Sequence, residues 1–163
     1  MINGHQDGGA FFVLLDGATC KEKWRYKPET DLRAFSTPVI ATIEGNRQIV
    51  LTGAKQTVGL EPESGERLWW VDGPTEKFVC TPTPLLLGQY LHIMNDAGIY
   101  SCVEPVSGDV LKTLRKGGNT YNSPVGIGDR VYFFDDTGLC PVRPQRTPPL
   151  EERATCSNKY ACD

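Results

Sequence analysis

The sequence holds little that a helix, a membrane or a nucleic acid would select. No window of a dozen residues carries a 3.6-residue apolar stripe free of Pro and Gly, so almost no helix is expected. No apolar run approaches the length of about 18 residues that a transmembrane helix needs. Positive charge is not in excess: 17 Lys and Arg against 20 Asp and Glu give a formal charge of −3, without the basic footprint of a nucleic-acid or anionic-membrane binder. Residues Met1 to Gly9 lack a basic segment followed by an apolar core and do not read as a secretory signal. The two His, His5 and His92, have no metal-spaced companion, and the six Cys (20, 80, 102, 140, 156 and 162) form neither a Cys-x-x-Cys nor an adjacent pair. Gly-x-Ser-x-Gly and phosphate-binding loops are missing too, which removes the compact catalytic signatures.

What is present is a phrase written three times. Leu15-Asp16-Gly-Ala-Thr-Cys20-Lys-Glu-Lys-Trp24 recurs as Leu60-Glu61-Pro-Glu-Ser-Gly65-Glu-Arg-Leu-Trp69 and as Val103-Glu104-Pro-Val-Ser-Gly108-Asp-Val-Leu-Lys112. The acidic positions are 45 and then 43 residues apart. A period of that size points to a propeller or a solenoid. Ser36-Thr37-Pro38-Val39, Thr83-Pro84-Leu85 and Ser123-Pro124-Val125 repeat at matching positions, each followed by short runs rich in Val, Ile, Tyr and Phe and bounded by Gly, Pro, Asn or Asp. Such runs are strands. One unit reads as four short strands, about 40 to 45 residues, the size of one propeller blade.

The expected fold is therefore all-β, a partial β-propeller of four-stranded antiparallel blades. About thirteen strands in a 2+4+4+3 pattern are expected, about three to four blades incomplete at both ends. Residues 1–8 read as a flexible N-terminus, 9–143 as the propeller and 144–163 as an irregular or disordered tail. Pro148 and Pro149 cannot donate ladder hydrogen bonds where a fourth closing strand would fall. Such a chain is either part of a larger protein or leaves sheet surface for a partner to cover, and its blade edges invite self-association.

The phrase Glu61 to Trp69, with Ser/Thr-Pro opening the innermost strand, resembles the repeat of the pyrroloquinoline-quinone-type (PQQ-like) β-propellers. That superfamily includes the quinoprotein alcohol dehydrogenases and the BamB-type outer-membrane assembly lipoproteins. The string Cys20-Lys-Glu-Lys-Trp-Arg-Tyr-Lys27, followed by Gln48-Ile-Val-Leu-Thr-Gly-Ala-Lys55, looks most like the BamB-like members. The resemblance covers about residues 9 to 142 and speaks for the fold far more than for function. It implies that Trp24 and Trp69 dock each blade onto its neighbour, with Gly65 and Gly108 forming the turns of the phrase. A Trp at a fixed repeat offset also buries a large apolar area and gives its indole N–H a backbone partner. Cys20, where the other copies have Gly, predicts a strained or differently shaped turn, and Lys112 in place of Trp predicts a weaker interface after that blade.

In quinoprotein dehydrogenases the quinone lies between a Trp floor and a vicinal disulfide, with Ca²⁺ alongside. This sequence has no vicinal pair, and Asp96, Asp135 and Asp136 lie in stretches that read as Asx-capped hairpin turns, so neither PQQ nor Ca²⁺ is expected. Cys102 and Cys140 fall at equivalent repeat positions and read as buried free thiols, while Cys156 and Cys162 form a candidate pair. His92 within a strand reads as solvent-facing or hydrogen-bonded, and His5 as part of a loose N-terminus. No catalytic, cofactor-binding or metal residue is expected. The favoured function is a non-enzymatic binding or scaffold module that presents loops to a protein or polysaccharide partner, with Arg33, Phe35 and Tyr121 as contact candidates. The alternative is a fragment of a PQQ-dependent dehydrogenase whose active site lies elsewhere. A WD40-type scaffold is disfavoured because no Gly-His and Trp-Asp pair recurs. By resemblance the location is periplasmic or extracellular.

Overall fold

The computed structural model describes residues 1–73, 81–115, 118–136, 138 and 142–144, the last three by backbone only. Among them there is no helix. The strands are β1 (Ile2–Gly4), β2 (Phe11–Leu15), β3 (Glu22–Tyr26), β4 (Val39–Ile43), β5 (Asn46–Thr52), β6 (Gln56–Leu60) and β7 (Arg67–Asp72). They continue as β8 (Leu85–Leu87), β9 (Tyr90–Met94), β10 (Ile99–Val103), β11 (Val110–Arg115), β12 (Val125–Ile127), β13 (Arg130–Tyr132) and β14 (Val142–Pro144). Every pairing is antiparallel between consecutive strands, giving sheets β1-β2-β3, β4-β5-β6-β7, β8-β9-β10-β11 and β12-β13-β14. This is a partial β-propeller.

The first sheet corrects the sequence reading, which places residues 1–8 outside the propeller and gives that sheet two strands. Ile2, Asn3 and Gly4 pair with Val13, Phe12 and Phe11. Gly4 makes the pairing possible: a Cβ there would stand 2.6 Å from the Phe11 ring, so the ring lies directly over the glycine. At the other end β14 closes the described chain at Pro144, and the expected tail beyond it lies outside the described residues, as do Cys80, Cys140, Cys156 and Cys162.

Each sheet faces the next across an apolar seam. Phe12, with Trp24 and Tyr26, meets Ile49, Leu51, Val58 and Leu60 between the first two sheets. Ala41, Ile43, Val50 and Trp69 meet Leu91, Ile93 and Val103 between the second and third. Met94, Tyr100 and Cys102 meet Val131 and Phe133 between the third and fourth. Burying one such side chain contributes about 1.5–3 kcal/mol, so the seams rather than the short ladders hold the sheets together.

The repeat is also one of register. Leu14 pairs with Trp24, Gly59 with Trp69 and Cys102 with Lys112, and in all three sheets the ladder shifts at the next residue, Leu15, Leu60 or Val103. Two-residue turns join the inner strand pairs at 44–45, 88–89 and 128–129. Their first residues, Glu44, Gly88 and Gly128, all have positive φ, at 50°, 63° and 60°.

Candidate functional site

At one end of the sheets stand the three turns of the repeated phrase. Asp16 accepts hydrogen bonds from the backbone N–H groups of Ala18 and Thr19 and from the Thr19 hydroxyl at 2.8–3.1 Å. Glu61 does the same with Glu63 and Ser64, and Glu104 with Val106 and Ser107. The Thr19 backbone N–H, helped by its hydroxyl and Ala18, holds the Asp16 carboxyl below the usual carboxylate range, and the Ser64 N–H does so for Glu61. Each acidic carbonyl then accepts from the residue four places on: Cys20, Gly65 or Gly108. Those three residues share a left-handed backbone, with φ of 56°, 76° and 83°. Cys20 therefore keeps the shape of the turn and takes the strain, rather than reshaping it.

The closing tryptophans diverge. Trp24 donates its indole N–H to the Pro62 carbonyl at 2.9 Å, and its ring lies 2.5 Å from where a Cβ on Gly65 would be, so the first sheet sits on the turn of the second. Trp69, 2% exposed, donates instead to the side-chain oxygen of Gln48 at 2.7 Å. That partner lies in its own sheet and is not the expected backbone group. Its ring occupies the space above Gly59, only 2.2 Å from a Cβ position there. Gly108 of the third turn reaches this junction through the backbone, 2.6 Å from the Trp70 carbonyl by the same measure. Lys112 takes the position opposite Cys102, a free buried thiol whose pKa burial raises.

The opposite end carries the loops that lead into β4, β8 and β12. The Thr37 N–H donates to the Thr83 hydroxyl at 3.1 Å, and the Thr83 N–H donates to the Ser123 hydroxyl at 3.0 Å. The Ser/Thr-Pro signals thus form a chain of bonds from sheet to sheet. Asp96 accepts from the Thr81 N–H at 2.8 Å and from its hydroxyl at 3.2 Å, while the Asp96 carbonyl accepts from the Thr120 N–H. Burial raises the Asp96 carboxyl above the ordinary range against the pull of those Thr81 bonds. Asp135 accepts from the Gly118 N–H at 3.1 Å. In the 95–98 hairpin Asn95 rather than Asp96 is the cap, through the Ala97 and Ile99 N–H groups. These cross-links are missed in the sequence because their partners sit 15 and 17 residues away.

On this braced face Phe35 is 63% exposed and Tyr121 65%. Arg33 pairs with Asp7 at 2.7 Å across exposed surface. All three contact candidates therefore lie on loops at one end of the sheets, and the Thr37–Thr83–Ser123 bonds link the loop that holds Arg33 and Phe35 to the loop that holds Tyr121 by way of the third sheet.

Beside it a cleft of about 200 Å³ opens between the first two sheets, lined by His5, Tyr26, Glu29, Lys55, Gln56 and Asp72 among others. His5 is buried, not loose. Asn3 donates through Nδ2 to the Ser36 carbonyl and so turns its Oδ1 to His5 Nδ1 at 2.5 Å, which makes Nδ1 the protonated nitrogen. Burial lowers the His5 pKa, keeping the ring neutral. Across the third seam His92 is 1% exposed and bonded through Nδ1 to the Tyr100 hydroxyl at 2.9 Å. Burial lowers its pKa to about 4, opposed by the nearby Leu87 carbonyl, and among the described residues Nε2 has no partner in good hydrogen-bonding geometry.

Among the described residues no group of three or more His, Cys, Asp or Glu gathers to hold a metal ion. Asp96 turns a carboxylate oxygen to the Thr81 N–H and Asp135 one to the Gly118 N–H. Among the described residues these oxygens do not form the set of six or more that Ca²⁺ takes.

The sequence matches no protein-family model and no curated protein. Solved structures do match. BamB from Moraxella catarrhalis aligns over 88% of this chain and 47% of its own, with TM-score 0.67 and 16% identity. Quinohemoprotein alcohol dehydrogenase from Comamonas testosteroni aligns over 77% of this chain and 26% of its own, with TM-score 0.57 and 12% identity. Apo AztD from Citrobacter koseri aligns over 84% of this chain and 39% of its own, with TM-score 0.53 and 14% identity. This chain thus spans about half the length of the first and less of the others, and in fold it is similar to the β-propellers of BamB and the quinoprotein dehydrogenases.

Proposed function

We propose that the chain is a non-enzymatic binding module that offers its lead-in loops to a protein partner in the periplasm or at the cell surface. The observation that carries this reading is the exposure of Phe35 and Tyr121, 63% and 65%, on loops whose backbones are tied together by the Thr37–Thr83–Ser123 bonds. Aromatic side chains on a rigid support give up little conformational entropy on binding and are the usual anchors of protein interfaces. Arg33 stands at the rim, where a charge tunes association rate more than affinity. Among the described residues no helix is long and apolar enough to cross a membrane.

Photo-crosslinking residues placed at 35 and 121 test the proposal, with Val106 at the opposite end, 48% exposed, as the control position. A discrete protein adduct from 35 and 121 and none from 106 is the expected result. Replacing Phe35 and Tyr121 together with Ala then weakens that complex tenfold or more. Equal labelling from all three positions sinks the reading, and saturable glycan binding without a protein adduct replaces it with a polysaccharide partner.

A further inference from the structure

The cleft of about 200 Å³ between the first two sheets is walled on both sides by described residues and takes no part in the surface that carries Phe35 and Tyr121. Its buried floor is apolar, made by Leu51 and Val58, 1% and 3% exposed. Its polar groups are fixed from behind. The Gly53 N–H donates to the Gln56 carbonyl at 2.7 Å and the Gly73 N–H to the Lys55 carbonyl at 2.6 Å, which pins the hairpin at 53–56. Gln56 Nε2 donates to Asp72 Oδ1 at 3.0 Å, and Arg67 donates to Glu29 Oε1 and to the Tyr26 hydroxyl. Arg67 also lies over the ring of Trp70, which pairs with Val58 and shares a face of β7 with Asp72, so an exposed indole borders the cleft.

His5 adds a buried acceptor to this lining. It is 8% exposed, and its Nδ1 proton is committed to Asn3 Oδ1, so Nε2 is a lone pair that can only accept. A Cβ on Gly53 would stand 2.8 Å from Nε2 and fill the room in front of it. The Gly53 backbone lies outside the left-handed region, so no turn requires a glycine there. Its missing side chain instead leaves that nitrogen accessible from the cleft.

We propose that the cleft binds one neutral polyhydroxylated ring, a single sugar unit, held by His5, Glu29, Lys55 and Asp72. Size sets the first limit: about 200 Å³ is below the ~300 Å³ at which sites for drug-sized ligands begin, which leaves room for one ring and not for a chain. Chemistry sets the second. A carboxylate offers about four lone-pair sites, and Glu29 and Asp72 spend one oxygen each on Arg67 and Gln56. A hydroxyl can give its hydrogen to a remaining lone pair, or to His5 Nε2, and accept one from Lys55 Nζ without breaking any bond already made. A cation would compete with Arg67 for Glu29, an anion would face two carboxylates, and the charges of Glu29 and Asp72 are balanced by Lys55 and Arg67. The C–H face of a sugar ring also suits the floor of Leu51 and Val58, which a bare ion would leave uncovered.

Saturation-transfer NMR and Trp emission on the 163-residue chain test the site, with glucose, galactose, mannose and N-acetylglucosamine as probes. Each is offered free, as its methyl glycoside and at the end of a short oligosaccharide. Saturable binding of at least one, with a Kd on the order of 1 mM, is expected for a ligand of this size. Lys55→Met and Gly53→Ala each weaken it by about tenfold or more. Lys55→Met alters a half-buried hairpin side chain and keeps the circular dichroism of the sheets even where Gly53→Ala shifts His5. Binding of the free sugar alone identifies a solute as the source, and equal binding of the glycoside and the oligosaccharide identifies the end of a glycan; both bear out the site. Replacing Phe35 and Tyr121 with Ala leaves the sugar signal unchanged, so this site and the protein-contact surface stand or fall separately. The proposal is overturned if no sugar binds, if binding survives Lys55→Met intact, or if inorganic phosphate, choline or alanine binds there in place of the sugars.

Discussion

Two side chains stand where the backbone asks for glycine. Cys20 holds φ at 56° in a turn whose other copies use Gly65 and Gly108, and Glu44 holds 50° where the matching hairpins use Gly88 and Gly128. A left-handed residue with a Cβ costs about 1–2 kcal/mol, partly offset by the extra freedom glycine gives the unfolded chain. Cys20→Gly is therefore expected to raise the urea midpoint, by a stability gain of about 0.5–1 kcal/mol. The reverse change, Gly65→Ala, adds a clash with the Trp24 ring to the same strain and lowers the midpoint by more. The strain at Cys20 was legible because the phrase repeats around it. Glu44 was not, since Glu-Gly carries no strong turn signal and only the register of the three hairpins exposes it. His92 adds a pH dependence. With a pKa of about 4 in the fold against 6.5 ordinarily, the unfolded chain takes up this proton first as pH falls. The stability that the neutral ring contributes is whole above about pH 6.5 and is lost between 6.5 and 4, as much as about 3 kcal/mol. Denaturant titrations of wild type and His92→Gln across that window measure it: the variant is expected to have the flatter profile.

The sheets show how one sequence rule is carried out in different ways. Trp24 reaches across to the Pro62 carbonyl, whereas Trp69 turns back over Gly59 to Gln48. The repeat offset made both tryptophans visible, but the residue that separates their behaviour is opposite them in the ladder: Leu14 in one sheet, Gly59 in the other. No repeat argument singles out Gly59, because its counterparts are Leu14 and Cys102. Gly59→Ala is expected to destabilise the chain by about 1–3 kcal/mol through overpacking against the indole, read as a lower denaturation midpoint with quenched or shifted Trp emission. The strand β1 was hidden for a related reason. Ile-Asn-Gly is too short to show alternation, and its identity as a strand comes from Phe11 lying over Gly4, a contact between separate stretches of chain. At the turns of the phrase, Glu61→Gln keeps the size of the cap and removes its charge. Because its carboxyl is held below the ordinary range, the charged cap contributes above that range and is lost as the group protonates in acid. The difference between wild type and Glu61→Gln is expected to shrink only on acidification below the ordinary glutamate value of 4.5, at the acid end of the window in which His92 acts and beyond it.

For the molecule as a whole, two ends of the sheets do different work. The phrase turns brace each sheet through its own carboxylates, while the lead-in loops bond from one sheet to the next and leave Phe35 and Tyr121 outward. The blade architecture was legible because it is periodic. The aspartate cross-links and the cleft beside His5 were not, since each depends on residues that the period does not bring near in sequence. The Thr37–Thr83–Ser123 chain has one further consequence. Each bond runs from a repeat to its successor and to nothing else, so the link is inherited whole when a repeat is copied. A repeat added or lost as a complete unit of 43–45 residues keeps this one link intact, whatever the closing residue of the neighbouring phrase.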